Sequence, residues 1–371
     1  MIKDELLIYD TTLRDGEQMP GVVFSLDQKR KLIDKSLNFG VDIIDLMPFV
    51  SESEMRLAEN LMNEGYQKKI ISATPLKKDF IDKAKKIGFE KLIMFTSVSD
   101  IHLQKKLNLS REENLEKTLR LIDYARNNDL SIAFAGEDST RADISYLIDF
   151  INSLNGKIDY FLPCDTLGIL TPNETYEFIK MLKNETDVKI GLHCHNDFGQ
   201  ATANTLAGIV AGADIFSGTF TGIGERCGNA SIEEVVMSLL IQYDKKLNLN
   251  YNMLTSICNK VEEYSGIKMQ RHKAVCGENA FSHESGLHVD GILKDPLNYE
   301  IYNPEIIGRK RKILFGKHSG ISSLKYLFGD KFSNEEYSNM LKQVKEFAES
   351  QKRTLFESEV RRMFVNGGIV K

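Results

Sequence analysis

The 371-residue sequence has no long apolar run: no stretch approaches the roughly 20 apolar residues that cross a bilayer. Near the amino terminus, charged residues precede an apolar run of only four residues, which is too short for a signal peptide. The five cysteines are an odd number and form no Cys-x-x-Cys pair, which argues against both a disulfide framework and a structural zinc site. With 48 basic and 53 acidic residues, the net charge of -5 provides no positive field for nucleic acid. We therefore predict a cytoplasmic protein with reduced thiols that binds neither membranes nor nucleic acid.

Eight short apolar or β-branched runs are the main pattern that is present. Hydrophobic residues make up 42% and charged residues 27% of the chain, which is typical of a globular protein with a sizeable core. The runs cover residues 6–9, 42–46, 69–73, 91–95, 131–135, 158–163, 188–193 and 215–220. Stretches with helical periodicity lie between them, at residues 27–39, 54–65, 111–128, 146–154, 173–182 and 199–211.

This alternation predicts an α/β protein in which parallel strands are buried on both faces. Eight such units match a TIM (β/α)8 barrel, which we assign to residues 1–245. An open doubly wound sheet is the alternative, but no G-x-G-x-x-G follows the first run. Residues 246–371 are predicted to form a helical carboxyl-terminal extension, with helices at 251–266 and 334–349 and a loop region rich in Gly, Pro and His between them.

Polar residues collect where four of the predicted strands end. In a TIM barrel these ends meet at the mouth that carries the active site. His193 and His195 are separated by one residue, so both imidazoles face the same side of a strand. Asp15, after the first strand, can add a carboxylate. A divalent metal site follows, and it suits Zn, Mn, Mg, Fe or Co without choosing among them. Paired histidines can also be hydrogen-bonded core residues.

Two further side chains at the mouth are candidates for catalysis. Arg14 would need an anion or a carbonyl oxygen if it is buried there, and a structural salt bridge to Asp15 is the alternative. Glu137 is an acid or base candidate, or one member of a hydrogen-bonded carboxylate pair with Asp138.

Five segments together resemble the homocitrate synthase and 2-isopropylmalate synthase family. They are residues 10–18 (DTTLRDGEQ), 193–197 (HCHND), 222–229 (GIGERCGN), 283–291 (HESGLHVDG) and 316–320 (GKHSG). Their order and spacing cover nearly the whole chain. The resemblance implies a barrel enzyme, an acyltransferase that condenses acetyl-CoA with a 2-oxo acid at a divalent metal ion.

The resemblance also assigns roles to residues. It implies Asp15, His193 and His195 as metal ligands with Asn229 nearby or as an additional ligand. It implies Arg14, Glu137, His288 and Tyr299 as catalytic residues, and Gln18, Asp45, His102 and Thr166 as contacts of the substrate. His288 and Tyr299 match positions that reach the mouth from the neighbouring subunit, so a homodimer with an exchanged extension is expected.

Within the family the chain is most similar to short homocitrate synthases of the nitrogen-fixation type, which implies 2-oxoglutarate as substrate, homocitrate as product and no regulatory domain. Three positions differ from common members: Asp45 stands for Glu, and the uncharged Thr74 and Ala133 stand for Arg. His102 is then the predicted partner of the far carboxylate of 2-oxoglutarate, with Arg141 as the weaker candidate.

Several other functions remain open from the residues alone. Oxaloacetate, pyruvate or 2-oxoisovalerate would make the enzyme a citrate, citramalate or 2-isopropylmalate synthase. A metal-dependent aldolase or lyase on the same barrel would use the same Arg, Asp and His set. A non-catalytic scaffold barrel would tolerate loss of the metal ligands, and all of them are present.

Overall fold

Eight parallel strands form a closed barrel in which each strand pairs with its neighbours in the sequence and the last strand pairs with the first. The structure is a computed structural model that describes residues 2–3 and 5–365. The strands are β1 (Leu7–Asp10), β2 (Ile43–Leu46), β3 (Ile70–Pro75), β4 (Lys91–Ser97), β5 (Ser131–Glu137), β6 (Tyr160–Asp165), β7 (Gly191–Cys194) and β8 (Ile215–Gly218). Closure is set by the pairing of Ile8 with Phe216. The predicted TIM barrel is confirmed.

One helix of at least ten residues follows each strand. These helices are α1 (Leu26–Phe39), α2 (Glu52–Asn63), α3 (Lys78–Ile87), α4 (Arg111–Arg126), α5 (Ile144–Ser153), α6 (Pro172–Glu185), α7 (Ala201–Val210) and α8 (Ile232–Gln242). Ser25, Ser110 and Thr171 begin α1, α4 and α6 with capping boxes, which satisfy amides that the first helical turn leaves unbonded. Gly40 ends α1 in a left-handed conformation (φ 114°) that favours glycine.

The barrel interior is filled with side chains, so the barrel is a packed core below its mouth. Tyr9, Ile71, Ile93, Tyr160 and Leu162 are members of this buried cluster. The outer faces of the strands are buried as well, which is why the strands read as continuous apolar runs. Short helical turns follow several strands at the mouth, including Gly16–Gln18, Ser139–Arg141 and a π-helical turn at Leu103–Leu107.

The chain folds into two compact units. The first contains Met1–Asn250 and Ser256–Lys268, and the second contains Tyr251–Thr255 and Met269–Lys371. Most of α9 (Leu254–Ser265) therefore belongs to the first unit, whereas the sequence places it in the extension. The predicted domain boundary after residue 245 stays a prediction.

The second unit is mainly helical and has its own core. Its helices are α10 (Gly286–Lys294), α11 (Ile321–Phe328), α12 (Asn334–Gln351) and α13 (Glu357–Val365). Val289, Phe315, Leu324, Tyr337 and Val344 form the centre of that core. The region predicted as a loop also contains α10 and a small parallel sheet of β9 (Ser282–His283) and β10 (Lys312–Ile313). Two-residue strands are too short to produce an apolar run, so no sequence pattern marks them. Among the described helices, none has the length and apolar character that would let it cross a membrane.

Candidate active site

Asp15, His193 and His195 converge at the barrel mouth. Asp15 follows β1, His193 lies in β7 and His195 comes directly after β7. One ligand atom from each residue lies within 4.8 Å of the other two. The Nε2 atoms of His193 and His195 are 3.2 Å apart, and Asp15 Oδ2 is 3.6 Å from His193 Nε2. All three side chains are buried. The set is a candidate metal centre of two imidazoles and one carboxylate, as the strand alternation predicts.

The surroundings of the three residues fit a metal ion. His193 Nδ1 lies 2.8 Å from Ser217 Oγ in β8, a contact that orients the ring as outer partners of metal-bound histidines do. Asn229 donates its amide to Asp15 Oδ1 at 2.8 Å, while its own Oδ1 is buried without a partner. A buried amide oxygen without a partner is costly, and a cation beside it would satisfy it. Asn229 thus lies where an additional oxygen ligand would be needed.

The protonation states also suit metal binding. Burial raises the pKa of Asp15, but the Arg14 guanidinium and the nearby His193 outweigh burial and hold that pKa well below its usual value. Burial, together with the neighbouring His193, lowers the pKa of His195 to about 4. At neutral pH Asp15 is therefore ionised and His195 is neutral, which are the forms that bind metals.

Arg14 is held in the mouth by two carboxylates. Its Nε donates to Asp45 Oδ2 at 2.7 Å and its Nη1 donates to Asp15 Oδ2 at 2.8 Å. The salt bridge to Asp15 that the sequence leaves open is thus present, but the side chain is 21% exposed and lines the cavity of the mouth. Asp45, although shorter than Glu by one methylene, reaches the guanidinium from the end of β2.

The cavity of the mouth has a volume of about 270 Å³ and is built from the first unit. It brings together most of the predicted site residues: Arg14, Asp15, Gln18, Asp45, Glu137, Thr166, His193 and His195. Thr166 also accepts the backbone N–H of Asp138 at 2.8 Å. Cys164 lines the cavity too, but burial raises the pKa of its thiol, so it is protonated and a poor nucleophile.

Glu137 ends β5 and is part of a polar cluster on the far side of the cavity. It accepts a hydrogen bond from Ser97 Oγ at 2.8 Å, and both of its carboxylate oxygens accept from Lys106 Nζ, at 2.6 and 2.7 Å. His102 lies beside this cluster, with Nδ1 3.2 Å from Ser97 Oγ and 3.6 Å from Glu137 Oε1. Asp138, the other carboxylate, is fully buried and pairs with Arg141 at 2.8 Å. The carboxylate pair is therefore split between two separate cations.

Lys106 is a cavity residue that the sequence does not single out. It lies in a run of polar residues after β4 in which Lys105 and Lys106 look equally solvated. The π-helical turn Leu103–Leu107 directs only Lys106 toward Glu137, and no sequence pattern reports that turn. The one sequence signal for Lys106 is that it lies within ten residues of the end of β4.

The two uncharged differences from the family are buried in the barrel. Thr74 donates to the carbonyl oxygen of Ser72 at 3.1 Å, and Ala133 is a member of the interior cluster. His288 and Tyr299 belong to the second unit, where their ring centroids are 4.5 Å apart. Their predicted catalytic roles, like those of the other site residues, stay predictions.

The segment Gly222–Asn229 needs glycine because its backbone packs against the candidate metal site. A Cβ on Gly224 would come within 2.0 Å of Asn229 Nδ2 and 2.8 Å of Asp15 Oδ1. Gly228 has a left-handed backbone (φ 92°), and a Cβ there would lie 1.9 Å from the carbonyl oxygen of Gly222. A side chain at position 224 would displace Asn229 or Asp15, and one at position 228 would displace the backbone of Gly222.

Comparisons with known proteins agree with this architecture. Residues 5–261 match the HMGL-like family model, and residues 275–352 match the model described as homocitrate synthase post-HMGL domain-like. The chain is 43% identical over 357 residues to homocitrate synthase AksA of Methanocaldococcus jannaschii, covering 94% of this chain and 87% of that protein. It is 39% identical over 350 residues to 2-isopropylmalate synthase of Sulfurisphaera tokodaii, covering 92% and 91%.

Another relative is the putative (R)-citramalate synthase CimA of Archaeoglobus fulgidus, 38% identical over 94% of this chain and 73% of that protein. Among solved structures, the HMG-CoA lyase of Bacillus subtilis superposes with a TM-score of 0.63 at 22% identity, over 73% of this chain and 97% of that chain. That likeness shows the barrel fold alone. The sequence identities and the two matching models show that the chain belongs to the HMGL-like family and, within it, to the group of homocitrate and 2-isopropylmalate synthases.

Proposed function

We propose that this chain is an acyltransferase that condenses acetyl-CoA with 2-oxoglutarate to give homocitrate and CoA. The names of its relatives support an acetyl-CoA and 2-oxo acid condensation, and homocitrate synthase is the name of its 43% identical relative. The observation that carries the proposal is the convergence of Asp15, His193 and His195 with Arg14 in one cavity. We keep the predicted cytoplasmic location as part of this proposal.

Asp15, His193 and His195 would hold the divalent metal ion, with Asn229 Oδ1 as a further oxygen. When bound, such an ion polarises the carbonyl group of a 2-oxo acid and makes its carbon more electrophilic. Zn, Mn, Mg, Fe and Co all accept this donor set. The protein contributes the geometry, because Ser217 and Arg14 orient two of the three ligands.

Arg14 has the geometry of a donor to developing negative charge. Its contacts with Asp45 and Asp15 use Nε and Nη1, which fixes the plane of the guanidinium and leaves Nη2 to donate to the substrate oxygen. Fixed donors of this kind stabilise the charge of a transition state without reorganising.

Glu137 is the proposed base. It would remove a proton from the methyl group of the thioester, whose carbon then forms a bond to the 2-oxo carbon of the acceptor. The carbonyl oxygen becomes an alkoxide, accepts a hydrogen bond from Arg14 and takes up a proton from solvent, and Glu137 returns its proton to solvent. Water then cleaves the thioester, and the carbon–sulfur bond breaks to release CoA. Hydrolysis drives the condensation forward.

The proposal includes a homodimer in which the second unit of one chain brings His288 and Tyr299 to the mouth of the other. Tyr299 is 51% exposed, and Leu287, Leu297 and Ile301 near it are more than 75% exposed. Large exposed apolar side chains clustered in sequence are typical of a surface that another protein covers.

The test is the identity of the product and the order of specificity constants. 2-Oxoglutarate, oxaloacetate, pyruvate and 2-oxoisovalerate are each supplied with acetyl-CoA, and the products are identified by mass spectrometry. We expect homocitrate, and the highest kcat/KM with 2-oxoglutarate. If another acid is at least about tenfold better, which is about 1.4 kcal/mol in transition-state binding, the homocitrate assignment is wrong and the condensation survives.

A further inference from the structure

We infer that Lys106 binds the far carboxylate of a dicarboxylic 2-oxo acid and thereby determines which acid the enzyme accepts. The inference rests on the proposed function and names a specificity residue for it. The sequence predicts that His102 binds this carboxylate, and we assign that role to Lys106 instead.

The position of Lys106 places it across the mouth from the candidate metal site. β4, which precedes Lys106, lies three strands from β1 and three strands from β7 around the closed barrel. Asp15 follows β1, and the two histidines lie at the end of β7. If the 2-oxo group of an acid binds at the candidate metal site, the far carboxylate of that acid therefore lies toward the end of β4.

Lys106 is held at the rim by an unusual backbone. The π-helical turn Leu103–Leu107 ends at Asn108, which is left-handed (φ 53°) and whose N–H bonds to the carbonyl oxygen of Leu103. The Lys106 side chain is 50% exposed and lines the cavity. π-Helical turns are rare and occur often at functional sites.

Lys106 is the cation available for a second carboxylate. Among the described residues that line the cavity, the basic ones are Arg14, Lys106, His193 and His195. The histidines belong to the candidate metal site, and Arg14, whose Nε and Nη1 bind Asp45 and Asp15, has its remaining Nη2 assigned to the substrate oxygen beside that site.

Two arginines near the mouth are paired elsewhere. Arg141 binds Asp138 at 2.8 Å, and Arg226 binds Asp197 at 2.8 and 3.0 Å. His102 lies between Ser97 and Asp138, and among the described residues it is not one that lines the cavity.

The cavity wall beside Lys106 is otherwise apolar, so a substrate carboxylate at this wall needs a cation. Met47, Ala73, Ile93, Phe95 and Ala135 line it with apolar groups, which suit the methylenes of an acid and offer no donor. A carboxylate carried against such a wall without a partner is strongly unfavourable. A hydrogen bond to an ammonium group offsets that cost.

The present partner of Lys106 does not exclude this role. Lys106 bonds to both oxygens of Glu137, an ion pair at a half-exposed rim that contributes little net free energy. A substrate carboxylate can replace Glu137 at the ammonium group of Lys106 at a small cost in free energy. Glu137 is then free to act as a base. Without substrate, the same pair keeps both charges satisfied.

The experiment compares two acids of equal length. 2-Oxoglutarate and 2-oxopentanoate both have five carbons and differ only in a carboxylate or a methyl group at the far end. The readout is the ratio of kcat/KM for the first acid to kcat/KM for the second, in the wild type and in Lys106→Met, Lys106→Gln, Lys106→Arg, His102→Ala and Lys105→Met. Lys105 is exposed in the same turn and serves as the matched control.

We expect Lys106→Met and Lys106→Gln to lower the ratio about 10- to 100-fold, as expected for one charge-assisted hydrogen bond, mainly through the KM for 2-oxoglutarate. Lys106→Arg should keep most of the ratio, and Lys105→Met should keep the wild-type ratio. Circular dichroism and the midpoint of thermal unfolding report, independently of activity, that each variant is folded.

Two results would overturn the inference while leaving the proposed function intact. If both neutral variants lose kcat equally for the two acids, Lys106 only positions Glu137. If His102→Ala lowers the ratio and the Lys106 variants do not, His102 is the partner of the carboxylate.

A failure of the proposed substrate is recognised in the wild type itself. If the wild type prefers oxaloacetate, homocitrate is the wrong product, and Lys106 is judged on oxaloacetate against its four-carbon match, 2-oxobutyrate. A wild type that prefers neither dicarboxylate over its match contradicts both the substrate and the role of Lys106.

Discussion

The Nε2 atoms of His193 and His195 face each other across 3.2 Å. One protonated and one unprotonated nitrogen form a hydrogen bond at that distance, whereas two unprotonated nitrogens leave two lone pairs that a cation can share. The ionised Asp15 beside them supplies negative charge for such a cation. The unpartnered Oδ1 of Asn229 is a further oxygen that a cation would satisfy.

Asp15→Asn is predicted to abolish metal binding and turnover while leaving the fold intact. Asn keeps the shape and an acceptor for the Glu225 N–H, which donates to Asp15 Oδ1 at 3.1 Å, but it lacks the negative charge. We expect almost no bound metal by elemental analysis, and kcat lower by more than about 100-fold, since even outer partners of metal ligands contribute about 10- to 100-fold. Near wild-type values for both would show that the site lies elsewhere.

Sequence patterns predict that Asp15, His193 and His195 lie together, because strand alternation and strand ends fix where those side chains point, and the structure brings them together. Their role as metal ligands stays a prediction. Sequence patterns do not predict Lys106, since its direction depends on a π-helical turn. The pairing of Arg14 with Asp45 also depends on the three-dimensional structure, because Arg14 lies in the turn after β1 and Asp45, 31 positions later, lies in β2.

Among the helices and turns, a buried lysine links the turn after Asp15 to helices α1 and α2. Lys29 in α1 is 1% exposed and binds Glu54 of α2 at 2.6 Å and also Glu17. Glu17 belongs to the turn Gly16–Gln18, directly after Asp15, and its other oxygen accepts the N–H of Phe24 at 2.9 Å. The position of Asp15 therefore depends on this buried ion cluster.

Lys29→Met is predicted to destabilise the protein by about 3–5 kcal/mol, because it leaves buried carboxylates without their cation. The measurement is chemical denaturation with the midpoint and the slope both fitted. The matched control is Lys31→Met in the same helix, where an exposed pair with Asp27 is lost and the midpoint should stay the same. Equal midpoints for Lys29→Met and the wild type would show that the cluster is not important for stability.

The start of β8 has a carboxylate that makes stability depend on pH. Asp214 accepts the N–H of Ile190 at 2.9 Å and Lys183 Nζ at 2.7 Å, and it also binds Lys3. Burial raises the pKa of Asp214, but these partners lower it more, so the pKa lies below the usual value of 3.8. A lowered pKa stabilises the fold above the unfolded pKa, and the stabilisation is lost as the pH falls through the folded pKa.

Asp214→Asn should therefore lower the Tm at pH 7, with a difference from the wild type that is constant above about pH 5 and shrinks below about pH 4. Thermal unfolding between pH 3 and pH 8 measures this. Asp187→Asn, at an exposed position near β7, is the control and should follow the wild type. A difference that grows as the pH falls would contradict the lowered pKa.

The strands were predictable because burial on both faces leaves continuous apolar runs. Helices α3 and α8 are not among the helices named from the sequence, although eight of them complete the barrel. α3 contains six charged residues among its ten (KDFIDKAKKI), which leaves a narrow apolar stripe. In the second unit α10, α11 and α13 have only eight or nine residues, too few for a clear periodic pattern.

At the scale of the whole molecule, the proposed exchange of second units makes a prediction about mixed dimers. Arg14→Ala and His288→Ala chains are each expected to be inactive alone. In a mixed dimer with exchange, the barrel with intact Arg14 receives the intact His288 of its partner, so one of the two sites works. Random mixing then restores about a quarter of the wild-type activity, and the purified mixed dimer has about half of it.

Co-expression of the two variants with different affinity tags, followed by assay of the purified mixed dimer, measures this directly. No recovery in a mixed dimer would show that His288 does not act in the neighbouring barrel. A monomer in solution would contradict the exchange outright.

We propose above that the mouth of this barrel joins acetyl-CoA to a 2-oxo acid. The most direct test follows free thiol from acetyl-CoA over time, with and without 2-oxoglutarate, and measures the 2-oxo acid consumed. We predict that thiol is released only when both substrates are present, in equal amounts with the acid consumed. Thiol release without any 2-oxo acid, or none with any of the four acids tested, would contradict the claim and favour a hydrolase or a lyase on the same barrel.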